Sequence, residues 1–122
     1  MPPILLRLLA ACILIAIWIL SLIPATMVPG LPGSDKWHHA LAYFTCMFFW
    51  AQLYVRPLPR LKLAIAFISM GAMIECLQYF TPTRTFELLD MLANASGVTL
   101  AWIVVTVQLA RQRRIAANRL GT

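Results

Sequence analysis

Residues 75–97 read ECLQYFTPTRTFELLDMLANASG. Glu75 and Gln78 close one apolar stretch, Asp90 and Asn94 open the next, and Arg84 lies in the short link between them. A carboxylate placed inside hydrocarbon costs about 3 kcal/mol or more, so it persists where it has a partner and a task. The pattern is that of two membrane-embedded helices joined by a polar link. It decides the fold class as all-α, because lipid offers no partner for the edge amides of an open sheet.

The rest of the chain agrees. Hydrophobic residues make up 61% of its 122 residues and charged residues 11%, with a mean hydropathy of +0.81. Average usage in soluble domains is roughly 25% charged. A span needs about 20 mostly apolar residues. Working outward from the link, such segments run over 61–80 and 88–110, then 37–55 and 4–23. The expectation is one membrane domain over 1–122, a polytopic four-transmembrane-helix bundle with a basic tail at 111–122. The first span reads as a retained helix, since its apolar run exceeds the ~7–15 residues of a signal-peptide core.

Charge placement gives the bundle a direction. The net charge is +6, and eight of the ten basic residues fall in three groups: Arg7; Arg56, Arg60 and Lys62; and Arg111, Arg113, Arg114 and Arg119. With four spans, these groups share one face, which the excess of Lys and Arg marks as cytoplasmic. Both the N and C termini are therefore expected on the cytoplasmic side. Pro57 and Pro59 are expected to keep the 56–62 loop extended. Basic residues that flank apolar spans do not form a nucleic-acid surface, so no nucleic-acid partner is expected. Cys12, Cys46 and Cys76, odd in number and without C-x-x-C spacing, argue against a disulfide framework and read as buried small hydrophobes.

At the opposite face three helices deliver polar residues to one depth. The second brings Asp35, Lys36, His39 and Tyr43, the last two sharing a helix face. The third brings Glu75 and Gln78. The fourth brings Asp90 and Asn94, with Gly97 a turn further along. The spacing predicts an outward-facing polar pocket with Glu75 deepest. The candidates for chemistry are Glu75 and His39 as general base and Asp90 as the group that orients a partner. The candidates for binding are Asp35, Lys36, Tyr43, Gln78, Arg84 and Asn94, with Arg84 and Lys36 suited to a phosphate. Plainer roles compete: capping for Asp35, helix-dipole pairing for Asp90, interhelical hydrogen bonds for Gln78 and Asn94, and close packing for Gly97 with Ala101. No G-x-S-x-G or H-E-x-x-H spacing occurs, so no metal and no cofactor is assigned, although His39, Glu75 and Asp90 could meet around an ion.

The ordered set Asp35-Lys36-x-x-His39-x-x-x-Tyr43, Glu75-x-x-Gln78, Pro82-x-Arg84 and Asp90-x-x-x-Asn94-x-x-Gly97 resembles the VanZ-like family of small bacterial membrane proteins. A small residue, often Gly, usual at the family's final position, is Ala101 here. The resemblance implies a four-span, multi-pass protein of the bacterial cytoplasmic (inner) membrane. The family takes its name from an accessory determinant of teicoplanin resistance. Two functions fit the pocket. One is binding or processing a lipid or lipid-linked cell-envelope molecule, with membrane lipids or an amphiphilic precursor as partners. The alternative is a non-enzymatic, partner-binding membrane protein whose polar groups fix helix register. A homo-oligomer, with Glu75 as a proton relay, is a third arrangement.

Overall fold

A computed structural model of the chain describes residues 2–24, 27, 35–81 and 85–121. Among these residues the only regular elements longer than a turn are four helices: α1 (Pro3–Leu22), α2 (Asp35–Ala51), α3 (Pro57–Gln78) and α4 (Leu88–Leu120). Three of them, α1, α3 and α4, are long and apolar enough to cross a membrane. The chain is thus an all-helical membrane protein. α2 has 17 residues and carries Lys36, His38 and His39 in its first turns.

Prolines set the helix boundaries. Pro3 stands in the first turn of α1, where its missing N–H removes no intrahelical bond. Pro24 forces the preceding Ile23 into an extended conformation (φ −71°, ψ 151°), and α1 stops there. Arg56 is extended for the same reason (φ −78°, ψ 145°), and α3 starts at Pro57. Pro57 and Pro59 therefore open a helix instead of holding a loop extended, because both fall within the first turn, where proline is tolerated. α2 ends at Ala51, short of residue 55, because the chain tightens there. Leu53 N–H donates to Trp50 O at 3.1 Å and Tyr54 N–H to Ala51 O at 3.2 Å. The basic tail is helical: α4 runs 33 residues, about 50 Å at ~1.5 Å per residue. Its length exceeds a hydrocarbon core of ~30 Å, and good helix formers such as Arg, Gln and Ala continue it beyond.

α2 and α4 form the most extensive helix pair, α3 packs along α4, and α1 covers α2. Gly97 explains the closeness of the first pair. A Cβ at that position would lie 2.1 Å from the carbonyl oxygen of Ala40 and 3.0 Å from Phe44 N, so the backbones of α2 and α4 meet there. Ala101 and Val105 continue the seam, fully buried against a core that includes Cys46, Met47, Phe67 and Ile74. Cys46 is the one buried cysteine of three. Cys12 and Cys76 are free and exposed, since their helix faces point away from the core.

The outer surface of the helices is apolar. Ile4, Leu8, Ile15 and Ile19 of α1, Ile65 of α3, and Leu92, Leu100 and Ile103 of α4 are all exposed. A water-soluble protein does not leave so continuous an apolar surface uncovered; lipid tails cover it at no cost. Two side chains stitch α1 to the rest. Trp50 Nε1–H donates to Ala10 O at 3.0 Å, and Gln78 Nε2–H donates to Ser21 O at 2.8 Å. Each bond satisfies a polar group that hydrocarbon would leave bare.

Candidate functional site

The site is built where the start of α2, the end of α3 and the start of α4 meet. Glu75 is four residues before Tyr79, on the last inward-facing turn of α3, and is 0% exposed. Its Oε2 accepts from the backbone N–H of Glu87 at 3.4 Å, one of the amides that the start of α4 leaves without an intrahelical partner. Its Oε1 is buried and has no hydrogen-bond partner among the described residues.

α2 supplies the basic groups. Lys36 Nζ donates to Glu87 Oε2 at 3.0 Å and lies 3.6 Å from Asp90 Oδ1, a separation too long for a hydrogen bond. The hydrogen bond to Glu87 is the first cause that holds the exposed Lys36 ammonium above the usual lysine range. One turn along α2, His39 Nδ1 lies 3.1 Å from Asn94 Oδ1. A carbonyl oxygen only accepts, so Nδ1 is the donor in this contact, and in the neutral ring Nε2 carries the lone pair. That Nε2 points to Asp90 Oδ2 at 3.8 Å. Ligand atoms of His39, Glu75 and Asp90 all lie within 4.8 Å of one another.

Most residues singled out by spacing therefore converge: Lys36, His39, Glu75, Asp90 and Asn94 form one connected group. Asp90 stands in the first turn of α4, so its helix-dipole role and its pairing role coexist. Tyr43 is buried beside this group, and its hydroxyl lacks a partner among the described residues. Gln78 turns instead to the Ser21 carbonyl of α1 and serves as an interhelical tie. Arg84 and the side chain of Asp35 lie outside the described residues.

Two contributors escaped the sequence reading. Glu87, the residue capping α4, gives its side chain to Lys36 and its amide to Glu75. The signal was scarcity: the chain has four carboxylate side chains, and three of them, Glu75, Glu87 and Asp90, gather here. Gly71 is the other. A Cβ there would lie 3.1 Å from Asn94 Cβ and 3.2 Å from Tyr43 Cε1, so the missing side chain makes room for both. A lone glycine one turn before a buried glutamate was the available sign.

A small membrane protein with a polar knot at one end of its helices is the class that fold and site define. The family model described as VanZ/LLP1 matches residues 17–110, and the chain belongs to that family. It is also similar to an uncharacterized protein of Schizosaccharomyces pombe, 31% identical over 116 residues that take in 88% of this chain and 72% of the other. No solved structure matches the chain.

Proposed function

We propose that this protein binds, and in one version processes, the polar head group of a lipid or lipid-linked cell-envelope molecule at the His39–Glu75–Asp90 end of its helices. In this reading all four helices span the membrane as a bundle, α2 completing its crossing through the residues after Ala51. The Arg-rich end and both termini are cytoplasmic, and the membrane is the bacterial inner one. The site then opens towards the outer leaflet, where amphiphile head groups lie.

The observation that carries the reading is the surplus of acceptors. Glu75 Oε1, Tyr43 Oη and Asp90 Oδ1 are buried without hydrogen-bond partners among the described residues. Unpaired buried polar groups cost about 1–3 kcal/mol each, so the arrangement favours a ligand that satisfies them. A head group rich in hydroxyls or amines supplies the donors. Lys36 is already engaged by Glu87, which weakens its expected part as a phosphate anchor. The second reading, a register-fixing network, draws on the bonds that do form, His39–Asn94, Lys36–Glu87 and Glu75–Glu87.

Native mass spectrometry of the protein extracted with its lipids separates the two. Under the head-group reading, Glu75→Gln keeps its thermal stability and loses a specific lipid adduct seen on the wild type. A Glu75→Gln protein that keeps the adduct eliminates the reading. One that loses stability, with no specific adduct on the wild type, supports the network.

A further inference from the structure

We infer that His39, Glu75 and Asp90 form a binding site for one divalent transition-metal ion, of the zinc or manganese kind. The inference rests on the same site as the head-group reading but requires no lipid.

The placement of three ligand atoms carries the inference. With Nδ1 set against Asn94 Oδ1, the other ring nitrogen, Nε2, faces Asp90 Oδ2 and in the neutral ring presents its lone pair there. Three ligand atoms lie within 4.8 Å of one another, and a cation among them offsets the repulsion of the two carboxylates. An imidazolium is the simplest alternative, but it draws a carboxylate to about 2.7–2.9 Å. The observed Nε2–Oδ2 separation is 3.8 Å. Metal–ligand bonds of about 2.0–2.2 Å place the ligands of a tetrahedral ion ~3.3–3.6 Å apart, close to that separation. A pair at 4.8 Å closes by about 1 Å of side-chain movement.

Three further features fit. Glu75 is fully buried, and its Oε1 has no hydrogen-bond partner among the described residues and is open to an ion. Lys36 pairs with Glu87 and lies 3.6 Å from Asp90, so one ammonium stands beside a group of three carboxylates among the described residues. Asn94 holds the far nitrogen of the histidine, the usual outer-shell support that fixes the tautomer of a ligating imidazole. One nitrogen and two oxygens suit zinc or manganese, whereas magnesium and calcium favour all-oxygen sets. Three protein ligands leave coordination positions open, and an oxygen of a phosphate or hydroxyl head group fits there.

The test uses the untagged full chain in detergent, stripped with chelator and titrated separately with Zn²⁺, Mn²⁺ and Mg²⁺ alone. Bound metal is counted by mass spectrometry, and X-ray absorption reports the ligands. The expected result is one Zn²⁺ or Mn²⁺ per chain with a single imidazole in its shell. Affinity falls at least tenfold in Glu75→Gln and in His39→Ala. It falls about 10–100-fold in Asn94→Ala, whose residue positions the ligand without touching the ion. His38→Ala, altering the neighbouring exposed histidine, keeps wild-type affinity. Asp90→Asn, nearer the surface, carries the same test where Glu75→Gln does not fold. Failure of the folded wild type to bind either ion, binding without imidazole, or unchanged binding in the ligand variants overturns the inference. Metal binding without a lipid adduct defeats the head-group reading alone; an adduct that survives full chelation, with no metal bound, defeats the metal site alone.

Discussion

At one end of the helices two arginines meet backbone carbonyls; at the other, carboxylates and an imidazole meet each other. Arg60 is 3% exposed, and its Nη1 donates to Tyr54 O and Val55 O, both at 3.3 Å. Arg113, from α4, reaches the same Val55 carbonyl at 2.6 Å. The two guanidinium groups clamp the end of α2 to α3 and α4, although Arg60 Nε is buried without a hydrogen-bond partner among the described residues. At the His39 end three carboxylates gather, and Glu75 Oε1, Asp90 Oδ1 and Tyr43 Oη are left without hydrogen-bond partners among the described residues. The same kind of costly buried charge thus fastens one end and prepares the other for a ligand. Charges that find backbone carbonyls fasten the helices, and carboxylates that face one another mark a site.

The largest effect comes from the seam that both ends depend on. Gly97→Ala sets a methyl group 2.1 Å from a backbone oxygen, which no rotamer change relieves. α2 and α4 must part, at a cost of about 3 kcal/mol, the upper range for overpacking. His39 and Asp90 sit on the two separated helices, so the site is lost with the stability. Thermal unfolding in detergent measures this. A Gly97→Ala protein as stable as the wild type removes the close α2–α4 contact and the geometry drawn from it.

Arg60→Met divides the two ends. It leaves the Tyr54 carbonyl without its donor and the Val55 carbonyl with Arg113 alone, and about 2 kcal/mol of stability is expected to go. Nothing in the His39 end touches Arg60, so metal affinity in the folded fraction stays at the wild-type value. Measured together by thermal unfolding and metal titration, the two numbers form a cross with those of Glu75→Gln, which keeps stability and loses affinity. If Arg60→Met also weakens metal binding, the ends are coupled and the contrast fails.

Much of this was legible in the sequence, for specific reasons. Apolar length and the scarcity of charge gave the helices, and the i, i+4 spacings of His39–Tyr43 and Asp90–Asn94 gave the site face. Spacing cannot report what lies across a helix interface, so Gly71 and the Glu87 amide stayed hidden. Arg60 read as a solvated loop residue because the prolines around it suggested a loop. Placed instead inside the first turn of α3, it points back at the chain end it clamps. Gln78 shares a face with Glu75, yet it sits one turn nearer the helix end, where α1 offers a bare carbonyl.

The smallest effect on stability is the most telling about the site. Lys36 is about half exposed and pairs with Glu87 at the rim. Exposed pairs contribute little, so Lys36→Gln should leave thermal unfolding unchanged within error. Its effect on ligands has opposite signs under different chemistries. If the pocket holds a cation, removing a competing positive charge raises Zn²⁺ or Mn²⁺ affinity a few-fold, more at low salt than at high, because screening weakens the lysine's field. If Lys36 instead grips an anionic head group directly, the lipid adduct falls and metal affinity does not rise. A metal titration of Lys36→Gln at two salt concentrations reads the sign, and the sign says whether the surplus acceptors at this end were arranged for an ion or for a donor-bearing head group.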